Sequence, residues 1–168
     1  MEKVTVLSSD QLFNSFLDPK YIPAGQTKYY LRNTQVCAPK GGWRHLTSSE
    51  IEALVKNDNT AMSWDNIMVT DEFDPMMIKN NKFYGFVRIG RVTSNGLQFH
   101  DLRLPCGISN SSIHSCDIGD DCAIHNVHYL SHYIIGDRCM LFNIQEMSCT
   151  DHAKFGNGIV KEGEDEDV

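Results

Sequence analysis

A seven-residue stretch that occurs twice is the feature that most constrains the fold of this chain. Residues 118–124 read IGDDCAI and residues 135–141 read IGDRCML, so the two copies begin 17 residues apart. A looser third copy, FGNGIV, occupies residues 155–160, a further 20 residues along. A repeat of this length indicates that one short structural unit is used several times, with each copy packing on its neighbours.

Aliphatic residues recur at steps of six within each copy. The two series are Ile118, Ile124, Leu130 and Ile135, Leu141, Met147. Upstream, Ile108, Ile113 and Ile118 step by five, which indicates tighter corners or a slipped register. We therefore predict a β-solenoid in which each hexad supplies a short strand and a turn, with the aliphatic residue pointing inward. Three hexads make one triangular coil of roughly 18 residues, and coils stack at about 4.8 Å.

Three other positions repeat with the aliphatic residues. Glycine is expected where the chain bends sharply, followed by Asp or Asn, which tolerate turn conformations. The fifth position is a small inward residue, Cys122 or Cys139, and an asparagine follows each aliphatic residue by eight, at Asn126 and Asn143. An ordinary antiparallel sandwich with Gly-Asp turns is the alternative, but it gives no reason for the repeated small residue or asparagine.

Outside the repeat, the sequence predicts an organisation in three parts. Residues 1–80 form a mixed cap segment with one short capped α-helix, residues 81–160 the solenoid, and residues 161–168 an acidic tail. The helix signal is a capping box at 47–50 (TSSE), and a second short helix is predicted over residues 11–17. Residues 83–92 alternate and predict one strand, with Val87 and Ile89 facing away from Arg88.

Charge and composition exclude several classes of protein. The formal net charge is −7, of which residues 161–168 carry −4 (five acids and one lysine), leaving about −3 for the rest. This balance argues against a nucleic-acid partner. No apolar run approaches the roughly 18 residues of a membrane helix, and the first residues lack a secretory signal, so we expect no membrane partner and a cytoplasmic location. The six cysteines are then expected to be free and mostly buried.

The repeated IGDxC stretches resemble the left-handed parallel β-helix of hexapeptide-repeat proteins. That superfamily includes trimeric acyltransferases and the helical domains of sugar-nucleotide pyrophosphorylases. The longer pattern is similar to an uncharacterised bacterial family, domain of unknown function 4954, over about residues 40–160. The segments that carry it are GWRHLT at 42–47, NKFYGFVRIG at 81–90 and FGNG at 155–158. The resemblance implies three to four coils, a homotrimer, and a longer protein of which this chain is an amino-terminal fragment or a short relative.

The same resemblance implies a catalytic histidine. Residues 114–122 (HSCDIGDDC) resemble the HDCxVGNxC stretch of acyl-carrier-dependent sugar acyltransferases, where the histidine is the general base. His114 would take that role, with Ser115 standing where the family has aspartate, and His125 and His128 are the alternates. No cofactor motif is evident, and the implied acyl donor is acetyl-CoA or an acyl-carrier protein. The implied acceptor is a sugar or a sugar nucleotide.

Two further interpretations of these histidines stay open. Cys122, His125, His128 and His132 offer metal-binding side chains, but their spacing is not that of a zinc finger or zincin, and we expect no metal. The rings could instead cover neighbouring coils and hydrogen-bond across them. Function therefore divides into two hypotheses. One is a sugar-directed acyl- or nucleotidyl-transferase-like protein, although no nucleotide-binding domain of the required size is present. The other is a non-catalytic β-helix structural, assembly or ligand-binding module of a larger protein.

Overall fold

The computed structural model describes residues 4–13, 17–35 and 42–149. Within these ranges the chain is mainly β, with sixteen short strands, three α-helices and three single turns of 3₁₀ helix. The helices are α1 (Ser9–Phe13), α2 (Tyr30–Gln35) and α3 (Ser48–Lys56), and the 3₁₀ turns are Pro19–Tyr21, Trp64–Asn66 and Pro75–Met77. The longest of these helices has nine residues, and no helix in the described ranges has the length and apolarity needed to cross a bilayer.

The strands are two to five residues long. They are β1 (Arg44–His45), β2 (Thr60–Ala61), β3 (Ile67–Val69), β4 (Ile78–Lys79), β5 (Lys82–Tyr84), β6 (Val87–Ile89), β7 (Gly96–Phe99), β8 (Leu102–Pro105), β9 (Gly107–Ser109), β10 (Ser112–His114), β11 (Asp117–Ile118), β12 (Ala123–Val127), β13 (Leu130–Ser131), β14 (Ile134–Ile135), β15 (Met140–Ile144) and β16 (Met147–Ser148).

Fourteen of these strands form three sheets. Sheet A has the order β1-β3-β6-β11-β14, sheet B the order β2-β5-β10-β13-β16, and sheet C the order β4-β9-β12-β15. All neighbouring strands are parallel except β1 and β3. From β2 onward the chain visits sheets B, A and C in that order, and we call one such passage a layer. The predicted mainly β class with parallel sheets is therefore confirmed.

Inward-facing residues of successive layers form three columns, one in each sheet. The columns are Val69, Ile89, Ile118, Ile135 in sheet A; Ala61, Phe83, Ile113, Leu130, Met147 in sheet B; and Ile78, Ile108, Ile124, Leu141 in sheet C. Side chains from all three columns pack in one hydrophobic cluster. Ile118 and Ile135 are register partners, as the repeat predicts. Full burial of each such side chain contributes about 1.5–3 kcal/mol.

The spacing of five residues marks a tight corner between sheets B and A. Ile113 precedes Ile118 by five residues and Leu130 precedes Ile135 by five. The residues at this corner, Gly85, Ser115 and His132, have φ of 65°, 52° and 60°. A residue with positive φ redirects the chain in little length. One layer from Ile118 to Ile135 consequently has 17 residues instead of about 18.

The single strand predicted over residues 83–92 is wrong. Gly85 bends the chain, so β5 lies in sheet B and β6 in sheet A. Phe83 enters the core from one side of this corner, and Val87 and Ile89 enter it from the other. Parallel pairing also reaches back to β2, so strands on both sides of residue 80 belong to the same sheets.

The glycine of each Ile-Gly-Asp stretch permits a close approach between layers. A Cβ on Gly119 would lie 2.5 Å from Asp137 Oδ1 and 2.7 Å from the Asp137 backbone nitrogen. That Oδ1 atom accepts a hydrogen bond of 2.7 Å from the N–H of Asp120. Gly90 meets Asp120 Oδ1 at 2.5 Å in the preceding layer. Glycine is thus needed because a carboxylate packs against it, and a sharp bend is not the reason.

An asparagine ladder follows the corner between sheets C and B. Its members, each with φ of 50–55°, are Asn80, Asn110, Asn126 and Asn143. Each Nδ2 donates to the Oδ1 of the next layer, at 2.7, 3.1 and 3.1 Å along the ladder. Asparagine tolerates this left-handed conformation better than most residues. The asparagines that the repeat predicts at 126 and 143 are therefore part of a longer ladder.

The predicted capping box begins α3. Thr47 Oγ1 accepts from the N–H of Glu50, and Glu50 Oε2 accepts from the N–H of Thr47. Arg44 donates two further hydrogen bonds to this carboxylate, at 2.9 and 2.8 Å, and they lower the pKa of Glu50 to about 2. The helix predicted over residues 11–17 differs, since α1 ends at Phe13 and residues 14–16 lie outside the described ranges.

The amino-terminal segment, residues 17–35, lies against the outer face of sheet A. Arg32 on α2 donates to both carboxylate oxygens of Asp117 on β11, and Arg88 on β6 donates to the same oxygens at 2.7 and 2.6 Å. Arg88 also donates to Asn33 at 2.7 Å. Burial favours a higher pKa for Asp117, but the hydrogen bonds from the two guanidinium groups outweigh it and lower that pKa.

Candidate functional site

Sheet C presents a column of chemically varied side chains on its outer face. The register partners are Lys79, Ser109, His125 and Phe142, one from each strand. Each follows an inward aliphatic residue of the core, so the alternation of the strand directs it outward. Ser109 and His125 are half-buried, while Lys79 and Phe142 are exposed. The stacking of layers thereby brings together residues that are 16 to 63 positions apart in sequence.

Ser109 and His125 form a hydrogen-bonded pair in this column. The Ser109 Oγ to His125 Nδ1 distance is 2.7 Å, and His125 Nε2 lies 2.8 Å from the carbonyl oxygen of Pro105. A carbonyl oxygen only accepts, so Nε2 carries a proton. In the neutral ring Nδ1 is then the acceptor for the Ser109 hydroxyl. The arrangement holds a basic nitrogen against a serine oxygen at a half-exposed position.

The hairpin that supplies Pro105 forms a groove beside this pair. Strands β7 and β8 are antiparallel and interrupt the layers between β6 and β9. An open groove of about 550 Å³ runs along the hairpin, lined by Gly96, Leu97, Gln98, Arg103, Leu104 and Pro105. Because Pro105 both lines the groove and accepts from the His125 ring, the groove adjoins the Ser109–His125 pair. Arg103 supplies a cation there.

His114, the base that the resemblance implies, is enclosed by aromatic rings. Its ring stacks on Tyr84 with centroids 4.5 Å apart and contacts Tyr129 at 4.4 Å, and the residue is 8% exposed. Its Nε2 lies 3.0 Å from Ser112 Oγ. Burial, with a smaller contribution from nearby His132, lowers the pKa of His114 to about 4. The ring is therefore neutral and weakly basic near pH 7.

The structure separates the other candidate residues. His128, the second alternate base, lies in the bend between β12 and β13 with an exposed side chain. Cys122 is buried, with its Sγ 3.0 Å from the carbonyl oxygen of Gly136. His132 lies at a different corner, with Nδ1 2.7 Å from Ser131 Oγ. Within the described residues, no group of three or more His, Cys, Asp or Glu side chains is arranged to hold a metal ion.

The cysteines follow the prediction of free, mostly buried thiols. Five are described and all five are free; Cys37 lies outside the described ranges. Cys106, Cys116 and Cys122 are buried, and burial raises the pKa of Cys116 to about 11 and of Cys122 to about 12. Thiols with such pKa values stay protonated and are poor nucleophiles.

Sequence reasoning identified His125 but not Ser109 or Pro105. The signal for Ser109 was present, because Ile108 occupies the same column as Ile124 and the next residue in each strand faces outward. The layer at Ile108 is one residue shorter than the others, and this difference hides the equivalence in the sequence. Nothing in the sequence indicates that the hairpin would return a carbonyl oxygen to the imidazole.

The fold and site define a mainly β protein of stacked parallel layers with a serine–histidine pair on an outer face. A model of the family described as Domain of unknown function (DUF4954) matches residues 43–166. The match covers most of the chain, and the chain belongs to this family.

A curated relative has the same lack of assigned function. The chain is 42% identical over 166 residues to an uncharacterized protein of Treponema pallidum (strain Nichols). The match covers 99% of this chain and 23% of that protein, so the chain spans about a quarter of the length of the relative. No solved structure matches the chain.

Proposed function

We propose that this chain is a left-handed parallel β-helix that acts as a rigid structural module within a longer protein. The repeated visits to sheets B, A and C, the in-register aliphatic columns and the asparagine ladder support this winding. The hexapeptide-repeat resemblance supplies the hand. The greater length of the Treponema pallidum relative supports a module that is one part of a larger chain.

Unequal burial along the columns is the observation that carries this proposal. Ile118 and Ile124 are at most 2% exposed, whereas Ile135 is 7% exposed and Leu141 and Met147 are half-buried. Strands β14, β15 and β16 are the last members of their sheets in the described part of the chain, each pairing on one side. One end of the stack thus offers strand edges and apolar side chains that a further parallel layer would cover.

Hydrogen exchange on this chain and on the full-length Treponema pallidum relative tests the proposal. In the relative, the amides that match β14–β16 should exchange at least tenfold more slowly than in this chain, because added layers would protect them. Amides matching β10–β12, which already pair on both sides, serve as the internal control and should change little. Equal exchange of β14–β16 in the two proteins would contradict the role as a continued module.

Two subordinate features belong to the same proposal. The chain is placed in the reducing cytoplasm, supported by its five free cysteines. It associates as a homotrimer, the usual arrangement of the superfamily it resembles. Sedimentation velocity of the chain should give the trimer mass, and a monomer at micromolar concentration would contradict that part.

Acyl transfer is a second candidate, favoured by the hydrogen bonds of His125. Of the three histidines that the sequence indicates, His125 has one nitrogen fixed by Pro105 and the other directed at a hydroxyl on a half-exposed face. Such a ring suits a general base that activates a sugar hydroxyl or amine toward acetyl-CoA or an acyl-carrier protein. Release of free CoA from acetyl-CoA with an amino sugar should be lost in His125→Gln and kept in His128→Gln. Equal rates in the two variants would contradict it.

A further inference from the structure

The described residues contain three serine–histidine hydrogen bonds with different surroundings. They are Ser109–His125 at 2.7 Å, Ser112–His114 at 3.0 Å and Ser131–His132 at 2.7 Å. His114 is enclosed between Tyr84 and Tyr129, and Ser131 is 3% exposed. In the first pair both residues are half-exposed, and a carbonyl fixes the second ring nitrogen. This pair is open to a ligand and the other two are not.

We propose that Ser109 is a nucleophile that accepts an acyl group from an activated ester or thioester, with His125 as its base. The inference deepens the acyl-transfer candidate and rests on it, while the structural-module role is independent of it. The carbonyl of Pro105 keeps the proton on Nε2, so Nδ1 is left to receive the hydroxyl proton. The pair thereby has the two features that an activated serine needs: a basic nitrogen in hydrogen-bond contact, and a group that orients the base.

The chemistry balances without a cofactor. His125 Nδ1 takes the Ser109 proton while Oγ bonds to the carbonyl carbon of the donor. The bond from that carbon to the leaving oxygen or sulfur then breaks, and the leaving group receives the proton from His125. A water activated in the same way attacks the acyl-serine, releases the carboxylic acid and restores the hydroxyl.

The neighbours of the pair indicate an anionic donor. Lys79 is the register partner of Ser109 on the side opposite His125, at the strand spacing of about 4.8 Å, where an ammonium group stabilises charge on the reacting carbonyl oxygen. Arg103 lines the adjoining groove and can bind a phosphate or carboxylate. Exposed Phe142, beyond His125, offers an apolar surface to the acyl chain. The donor class is therefore a short acyl ester or thioester whose leaving group carries a negative charge.

Acylation of the full 168-residue chain by p-nitrophenyl acetate, and by acetyl phosphate as an anionic donor, tests the proposal. The wild-type chain should release a burst of nitrophenolate and gain one acetyl group, which peptide mapping places on Ser109. Ser109→Ala and His125→Gln should each slow acylation by about 100-fold, the scale of general-base catalysis. Ser112→Ala and Ser131→Ala are the matched controls, since each removes a hydroxyl from another serine–histidine pair, and both should acylate at the wild-type rate.

Each other outcome overturns the inference. Acetyl on Lys79 or another lysine, no acyl-enzyme in the wild-type chain, or equal loss in the control variants would remove Ser109 as the nucleophile. If Ser109→Ala still transfers acetyl from acetyl-CoA while His125→Gln does not, direct transfer stands and the acyl-serine fails. Labelling of the unsubstituted chain with a fluorophosphonate, which should map to Ser109, gives a readout that does not depend on how any variant folds.

Discussion

The layered sheets and the amino-terminal segment attach to the protein by different physical means. Residues 60–149 are held by apolar columns that are shared between layers and by backbone pairing on both sides of most strands. Residues 17–35 are mostly exposed, and their links to sheet A are the hydrogen bonds of Arg32 and Asn33 with Asp117 and Arg88. The first kind of attachment is spread over many contacts, and the second depends on one buried carboxylate.

This difference teaches where each region is vulnerable. In the layers, a small change at a column position affects the residues above and below it, because the core is closely packed. In the amino-terminal segment most side chains can change freely, whereas Arg32 cannot. Four substitutions test this contrast, from the largest expected effect to the smallest.

Ile124→Ala should lower the free energy of unfolding by about 2–5 kcal/mol, because Ile124 is fully buried between Ile108 and Leu141. Urea unfolding followed by circular dichroism measures the loss. Leu141→Ala is the matched control in the same column, and its half-buried position predicts a smaller loss. Equal losses at the two positions would contradict the gradient of burial toward the end of the stack.

His114 should make the layers sensitive to acid. Its pKa is about 4 in the folded protein against an ordinary 6.5, so its stabilising effect is complete above pH 6.5 and is lost as pH falls toward 4. The full difference corresponds to about 3 kcal/mol. His114→Phe keeps a ring between Tyr84 and Tyr129 and removes the titration. Unfolding free energies at pH 7 and pH 4 should fall further in the wild type than in this variant; identical falls would rule out His114 as the cause.

Gly119→Ala should destabilise the layers by about 1–3 kcal/mol, since the new methyl group meets the Asp137 carboxylate and backbone of the next layer. Gly136→Ala is the matched control one layer on, where the added Cβ meets only Cys139 Sγ at 3.9 Å. Thermal unfolding of the two variants compares them. A similar decrease in both would mean that glycine serves the bend and not the approach.

Arg32→Ala should release the amino-terminal segment while changing the stability of the layers by only about 1 kcal/mol, because Asp117 keeps both hydrogen bonds from Arg88. Trypsin should cut at Lys20 and Lys28 faster in this variant than in the wild type. Arg91→Ala, which removes an ion pair with Asp121 elsewhere on the stack, should leave these cleavage rates unchanged. Unchanged cleavage in Arg32→Ala would show that other contacts hold the segment.

The sequence predicts the regular part of the structure better than its interruptions. The equivalence of Ile118 with Ile135 and of Asn126 with Asn143 is visible because nothing is inserted between those layers. The equivalence of Ile78 with Ile108 is hidden, since the hairpin separates the two by 30 residues. The bend at Gly85 is missed for a related reason, as a five-residue corner in alternating sequence resembles one continuous strand.

The candidate site divides in the same way. His125 was found because its residue type stands out at an outward position of the repeat. Its partner Ser109 is a common residue, and the Pro105 carbonyl has no signal in sequence at all, since every residue carries one. Arg32 and Asp117 are 85 positions apart, with no periodicity to connect them.

For this protein, periodicity alone determined that short strands stack in parallel, which residues face the core, and that cysteines and asparagines form columns. These properties repeat at a fixed interval, so a linear pattern encodes them. Only the tertiary structure decided which outward side chains meet, how the hairpin reaches His125 and where the amino-terminal segment binds. Those contacts depend on the path of irregular segments, where closure, close packing and buried charge select one arrangement out of many that the local sequence permits.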